Sequence, residues 1–300
     1  MVDDAFAGVQ QMNDFEAAAA AAVDKAMSEL VGYDLTGDEG AGRAEASHYI
    51  EAHRHEYVRT VRDLLKHRPV GNGPVRVLEI GVFFGVVCFA LADLGYEVTA
   101  ADIPEYIELP AQVKRYNARG IKTKGVRLEE FLMPFEDESF DIIIMCEVLE
   151  HLNFNVLPLL KELNRVGAPG SIFYLSLPNM ASIYNRKKML LGKSIGVSVQ
   201  EMFMQLDPND PQLANGHWRE YTAPEIRTML ERMGYRIADQ YYFSFGETLP
   251  VRGPRMLISR LIYSSFPAFK ENQTTIAIRD RRTDLVFDIP STVHRELRKL

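Results

Sequence analysis

The sequence predicts an α/β protein, with a doubly wound, seven-stranded, mostly parallel sheet and a helical cover at the N-terminal end. Three observations predict it. Seven short apolar runs lie between residues 75 and 280, separated for the most part by helix-length segments. Most of these runs end in Gly, Asp, Glu or Asn, and residues 1–70 carry helical patterning interrupted by a glycine-rich break. Strands that alternate with helices build parallel sheets covered on both faces.

The elements follow in order. Residues 1–30 contain FEAAAAAAVDKAMSEL, whose alanine run favours helix and whose flanking acids keep it soluble. LTGDEGAG breaks that pattern, and AEASHYIEAHRHEYVRTVRDLLKHRP resumes it, with Tyr49, Ile50, His53, Tyr57, Val61, Leu64 and Leu65 near one helical face. VRVLEIG, YEVTAADI, KTKGVRL, FDIIIMCEV and GSIFYLSLPN are the first five strands, with helices over 85–95, 108–119 and 155–167. RIADQYYFSF and QTTIAIRD supply the last two, after the helix APEIRTMLERMGY, which Thr222 can cap and Gly234 can end. Residues 181–220 form an insertion too long for a simple connection and read as a substrate lid. The expected organisation is a helical cover over 1–70, a main domain over 71–282 and a tail over 283–300.

Composition narrows the function. Among 300 residues, 47% are hydrophobic and 25% charged, the mix of a soluble globular chain. A formal charge of -7 argues against a nucleic-acid-coating protein, which needs clustered Lys and Arg. Cys88 and Cys146 both lie in apolar runs, so they read as buried reduced thiols, and a cytoplasmic location is expected. The acidic start and the lack of an apolar run of about 18 residues give no reason to expect a leader or a membrane span. Residues 251–270 interleave Arg252, Arg255, Arg260 and Lys270 with apolar residues. A helix packed on the sheet is the preferred reading there, over peripheral membrane contact.

The strand tips carry the chemistry. In an open parallel sheet, ligands bind beyond the carboxyl ends of the strands. The first strand ends at Glu79, and the turn after it reads E-x-G-x-F-x-G, with Gly81 and Gly85 flanking Phe83. A dinucleotide fingerprint would need glycine at Phe83, and Glu79 would repel a pyrophosphate, so a nicotinamide oxidoreductase is disfavoured. A carboxylate at this tip suits an ammonium group. Asp102 ends the second strand and can accept both hydroxyls of a ribose. Ammonium, ribose and no phosphate together describe S-adenosylmethionine.

On these residues the chain resembles the class I S-adenosylmethionine-dependent methyltransferases, among them small-molecule and glycan O-methyltransferases, with their Rossmann-like sheet. VLEIGVFFG resembles the family's first motif and TAADI its second-strand acid. LEEFLMPFEDESFDIIIMCEVLEHL resembles its adenine and fourth-strand region, and GHWREYTAPEIRTMLERMGY its late substrate-side segment. Phe83 departs from the glycine often found in that loop. The resemblance assigns Glu79, Gly81, Phe83 and Gly85 to the methionine end of the cofactor and Asp102 to its ribose. Ile103 would stack beside the adenine, Glu129 would take its exocyclic amine, and the backbone of Glu130 would reach a ring nitrogen. Glu147 would begin the segment facing the sulfonium.

For a hydroxyl acceptor a general base is wanted, and a histidine suits it. His151 is the first candidate and His217 the second. No metal site is assigned, although metal assistance by acids such as Glu150 or Asp207 stays open. His48, His53, His55 and His67 lack the acid and cysteine pattern of a zinc site. The expected activity is methyl transfer to a hydroxyl of a sugar, glycan or secondary metabolite, releasing S-adenosylhomocysteine. Nucleic-acid methylation and a non-catalytic cofactor-binding scaffold are the alternatives. Lys187, Lys188 and Lys193 in the lid would suit an anionic acceptor.

Overall fold

A computed structural model of the chain describes residues 2–30, 43–69, 71, 73–204, 216–244 and 253–286. Its strands order as β3-β2-β1-β4-β5-β7-β6 in a seven-stranded sheet. The chain divides into two compact units, residues 1–125 and 126–300.

The first unit opens with α1 (Val2–Leu30) and α2 (Arg43–Lys66). Ala19, Ala22, Val23, Ala26 and Leu30 form the buried stripe of α1, and Ile50, Val58, Val61 and Leu64 that of α2. Both stripes repeat at helical spacing, which is why these sequences coil and pack. Arg54 joins the two helices through a two-pronged pair with Asp24, at 2.6 and 2.8 Å. Next come β1 (Arg76–Ile80), α3 (Val86–Asp93), β2 (Glu97–Asp102), α4 (Pro104–Ile107), α5 (Pro110–Asn117) and β3 (Lys122–Gly125). The three strands are parallel, with Glu79 opposite Ala100 and Asp102 opposite Gly125. Lys25 on α1 pairs with Asp93 at the end of α3 at 3.0 Å, tying the cover to the sheet-flanking layer.

The second unit contains β4 (Phe140–Cys146), α6 (Leu157–Val166), β5 (Gly167–Pro178), α7 (Ile183–Leu190), α8 (Val199–Met204), α9 (Ala223–Arg232), β6 (Tyr235–Phe243), α10 (Pro254–Ser265) and β7 (Asn272–Arg279). β4 and β5 are parallel, and β7 runs antiparallel between β5 and β6. Thr222 caps α9 as expected, with Glu225 accepting from the Thr222 amide at 2.8 Å. Gly234 follows α9 at φ 88°.

Two expectations need adjustment. α10 forms, yet Leu257, Ile258 and Leu261 are exposed, so this part of it is not the sheet-packed face foreseen for 251–270. Cys88 is buried, whereas Cys146 is only partly so. Residues 205–215 of the lid, with Asp207, lie outside the described residues, as do 287–300 of the tail.

Candidate active site

In the first unit, the loop after β1 is shaped by its own backbone. Gly81 and Gly85 adopt φ 74° and 76°, and Phe83 between them adopts φ 44°. Phe83 thus takes the left-handed conformation that glycine takes more readily, at a cost of about 1–2 kcal/mol. Its neighbours offset that cost. The Phe83 amide donates to Asp102 Oδ2 at 3.1 Å, the Tyr106 hydroxyl donates to the Phe83 carbonyl at 2.5 Å, and Arg115 donates to the Phe84 carbonyl at 2.9 Å. The departure at Phe83 therefore leaves the turn intact. A side-chain carbon at Gly85 would run into the Tyr116 ring, so the floor of the loop has room only for glycine.

Asp102 is placed by the same bonds. Its other oxygen accepts the Ile103 amide at 2.8 Å, and each carboxylate oxygen keeps a further lone pair for a hydroxyl. Burial raises its pKa, opposed by the amides of Ile103 and Phe83. Ile103 is 43% exposed at the tip of β2, open to a flat ring.

Glu79 is buried and accepts the Cys88 thiol hydrogen at 2.8 Å. Burial pushes its carboxyl up to about 7, with the Cys88 hydrogen bond opposing and the Asp102 charge reinforcing the rise. Burial pushes the Cys88 thiol up as well, which keeps it an S–H donor. An ammonium ligand beside Glu79 would restore its charged form. The acid tip, the tethered ribose acceptor and the glycine floor fit S-adenosylmethionine. The sequence marked Cys88 as a buried thiol and Tyr49 as part of a helical face, but linked neither to the loop, where the Tyr49 ring meets Phe83 edge-on at 5.3 Å.

In the second unit, Glu129 and Glu130 sit exposed on a short turn, Leu128–Glu130. The Glu130 amide already donates to the Arg127 carbonyl at 3.1 Å. Glu147 follows β4 at φ 53°, with its amide held by the Ser176 carbonyl at 2.9 Å. Burial, and then the neighbouring charge of Glu150, raise the Glu147 carboxyl well above the usual carboxylate range.

His151 and His217, 66 positions apart in the chain, meet edge to face with ring centroids 4.9 Å apart. His217 Nδ1 lies 3.1 Å from Glu220 Oε1, while Glu220 Oε2 accepts from Asn185 at 2.6 Å. A carboxylate can only accept, so His217 carries a hydrogen on Nδ1 and presents Nε2. The Glu220 bond raises the His217 pKa against the opposing effect of burial. The segment bearing His217 is pinned at Tyr221, which bridges to Asn179 and whose carbonyl accepts from Met180 at 3.1 Å and Gln273 at 2.6 Å. A cavity of about 590 Å³ is walled by residues that directly follow each histidine, including Asn153, Phe154, Asn155, Trp218, Arg219 and Tyr221.

Residues 49–240 match the family model described as a methyltransferase domain. Among solved structures, the chain resembles one in the complex between the Haloferax volcanii Trm112 methyltransferase activator and a methyltransferase candidate. The match has 16% identity and a TM-score of 0.52, covering 79% of this chain and 96% of the other. A second, from Methanosarcina mazei and described as a SAM-dependent methyltransferase, has 19% identity and a TM-score of 0.50, covering 72% and 96%. At these identities the likeness is one of fold. No curated protein is significantly similar in sequence. A family match over 192 of 300 residues joins the strand-tip chemistry in one conclusion: the chain belongs to the methyltransferase-domain family, with S-adenosylmethionine as cofactor and S-adenosylhomocysteine as product.

Proposed function

We propose that this methyltransferase acts on a hydroxyl of a sugar, glycan or secondary metabolite, in the cytoplasm, where Cys88 stays a reduced donor to Glu79. The observation that carries the reading is the meeting of His151 and His217, with Glu220 held in place behind the second ring. When bound, S-adenosylmethionine supplies an activated methyl, so that a C–O bond forms as the C–S bond breaks and its electron pair returns to sulfur.

The chain's own residues bind, orient and move a proton. Glu79 takes the ammonium, Asp102 the ribose hydroxyls, and Gly81, Phe83 and Gly85 shape the loop against the methionine end. Ile103 and Glu129 serve the adenine, and Glu147 begins the segment facing the sulfonium. His151 receives the acceptor's hydroxyl proton at a ring nitrogen, with His217 as the second base. Glu220 stabilises the imidazolium that such a transfer would create on His217. The cavity supports a carbohydrate-like acceptor, since Phe154 and the exposed Trp218 offer flat apolar faces while Asn153, Asn155 and Arg219 offer hydrogen bonds.

The test is transfer of isotope-labelled methyl to panels of hydroxyl and amine acceptors. Transfer to hydroxyls is expected, with kcat reduced about 10²–10⁴-fold in His151→Ala while S-adenosylhomocysteine affinity is kept. Transfer confined to amines, and indifferent to both histidines, would sink the hydroxyl reading.

A further inference from the structure

Glu150, His151 and His217 converge in the second unit from two separate stretches of chain. One ligand atom from each lies within 4.8 Å of the others. Donors on a single ion at about 2.1 Å stand roughly 3–3.5 Å apart, a difference that small rotations of two partly exposed imidazoles can cover. Glu150 is fully buried, and its Oε1 lies 3.9 Å from His151 Nε2, beyond hydrogen-bond reach.

The surroundings are built for an ion in two further respects. His217 presents Nε2 because Nδ1 is held by Glu220, itself fixed by Asn185. A carboxylate behind a ligating imidazole is the arrangement that orients metal-binding histidines. The Arg219 amide donates to the Glu150 carbonyl at 3.3 Å, which fixes the two ligand-bearing stretches against each other.

We propose that Glu150, His151 and His217 bind one divalent transition-metal ion of the zinc type, with Glu220 as the positioning residue for His217. Two imidazoles and a carboxylate leave coordination positions open, and imidazole ligands favour such ions over magnesium or calcium. The ion's purpose, though not its presence, rests on the hydroxyl reading above. With the ion bound, His151 and His217 would serve as its ligands in place of acting as bases, and the ion would lower the pKa of the acceptor hydroxyl so that its proton passes to water, leaving the oxygen pair to form the C–O bond as the C–S pair returns to sulfur.

The test uses the full chain, stripped with a chelator and titrated with cobalt(II) chloride, reading the visible absorption of the bound ion. One equivalent should saturate the site and zinc should displace it. His151→Ala, His217→Ala and the conservative Glu150→Gln should each weaken binding at least tenfold. Glu220→Gln should weaken it about 10–100-fold. Calorimetry with S-adenosylhomocysteine on every variant shows that the fold and the cofactor half persist. No cobalt binding, or binding that survives the His151→Ala/His217→Ala double change and so resides elsewhere, overturns the proposal. A loaded protein that methylates only amines would remove the hydroxyl reading and leave the ion in place.

Discussion

The loop of residues 79–85 and the stretch of residues 183–204 are both parts of a methyltransferase surface, and they are built in opposite ways. The loop is over-determined: Phe83 and Phe84 are fixed through Asp102, Tyr106 and Arg115, and Gly85 has no room for a side chain. The later stretch leaves its apolar side chains outside. Leu190 is 88% exposed, and Tyr184, Met189, Leu191, Val199 and Phe203 are exposed as well. The contrast teaches how differently the two stretches tolerate change: the loop is held in one shape by its neighbours, whereas an exposed apolar stretch can be altered at small cost in stability.

The comparison breaks most readily at Asp102. Asp102→Ala removes the acceptor for two loop amides and for the ribose at once. Calorimetry should show S-adenosylmethionine affinity falling about a hundredfold, the scale of lost charge-assisted hydrogen bonds. Unchanged affinity would mean the ribose is held by other groups.

A change of pH sharpens it next, through Glu79. Its folded pKa, at about 7, stands above the usual 4.5. The protonated carboxyl prevails below about pH 7 and must ionise to hold an ammonium. Affinity for S-adenosylhomocysteine should therefore fall by up to tenfold for each pH unit below about 7. Stability runs the other way. The folded state binds the extra proton between about pH 4.5 and 7, so its advantage is present below the unfolded value and is lost as the pH rises through about 7. The loss is of the order of 3 kcal/mol. Glu79→Gln should flatten both profiles.

The smallest effect belongs to the exposed stretch. Leu190→Ser should shift stability by less than about 0.5 kcal/mol in chemical denaturation and leave S-adenosylhomocysteine affinity unchanged. A drop of several kcal/mol would show that this side chain is covered in solution.

Much of the frame was legible beforehand because strand and helix periods are local. All seven expected strands form, Thr222 caps α9, and Asp102 ends its strand as read, while the first strand runs one residue past Glu79 to Ile80. The insertion of β7 antiparallel between β5 and β6 was not legible, since strand order depends on contacts distant in sequence. The same limit hid the Cys88 thiol behind Glu79 and Tyr49 beside Phe83, pairings with no motif of their own. Glu220, only three positions after His217, was in local reach and was missed. The left-handed Phe83 was half visible: the flanking glycines mark the turn, while the tolerance for phenylalanine comes from Tyr106 and Asp102.

The bridge between Asn179 and Tyr221 has a further consequence. It brings the two ends of the intervening stretch together, and the Asn185–Glu220 bond fastens them again just inside. A closed loop of this kind is a cassette. Doubling its length costs only about 0.6 kcal/mol of closure entropy, and its ends need not move. Descendants of one ancestral frame could therefore exchange whole inserts between the two anchors while inheriting the sheet beneath them unchanged.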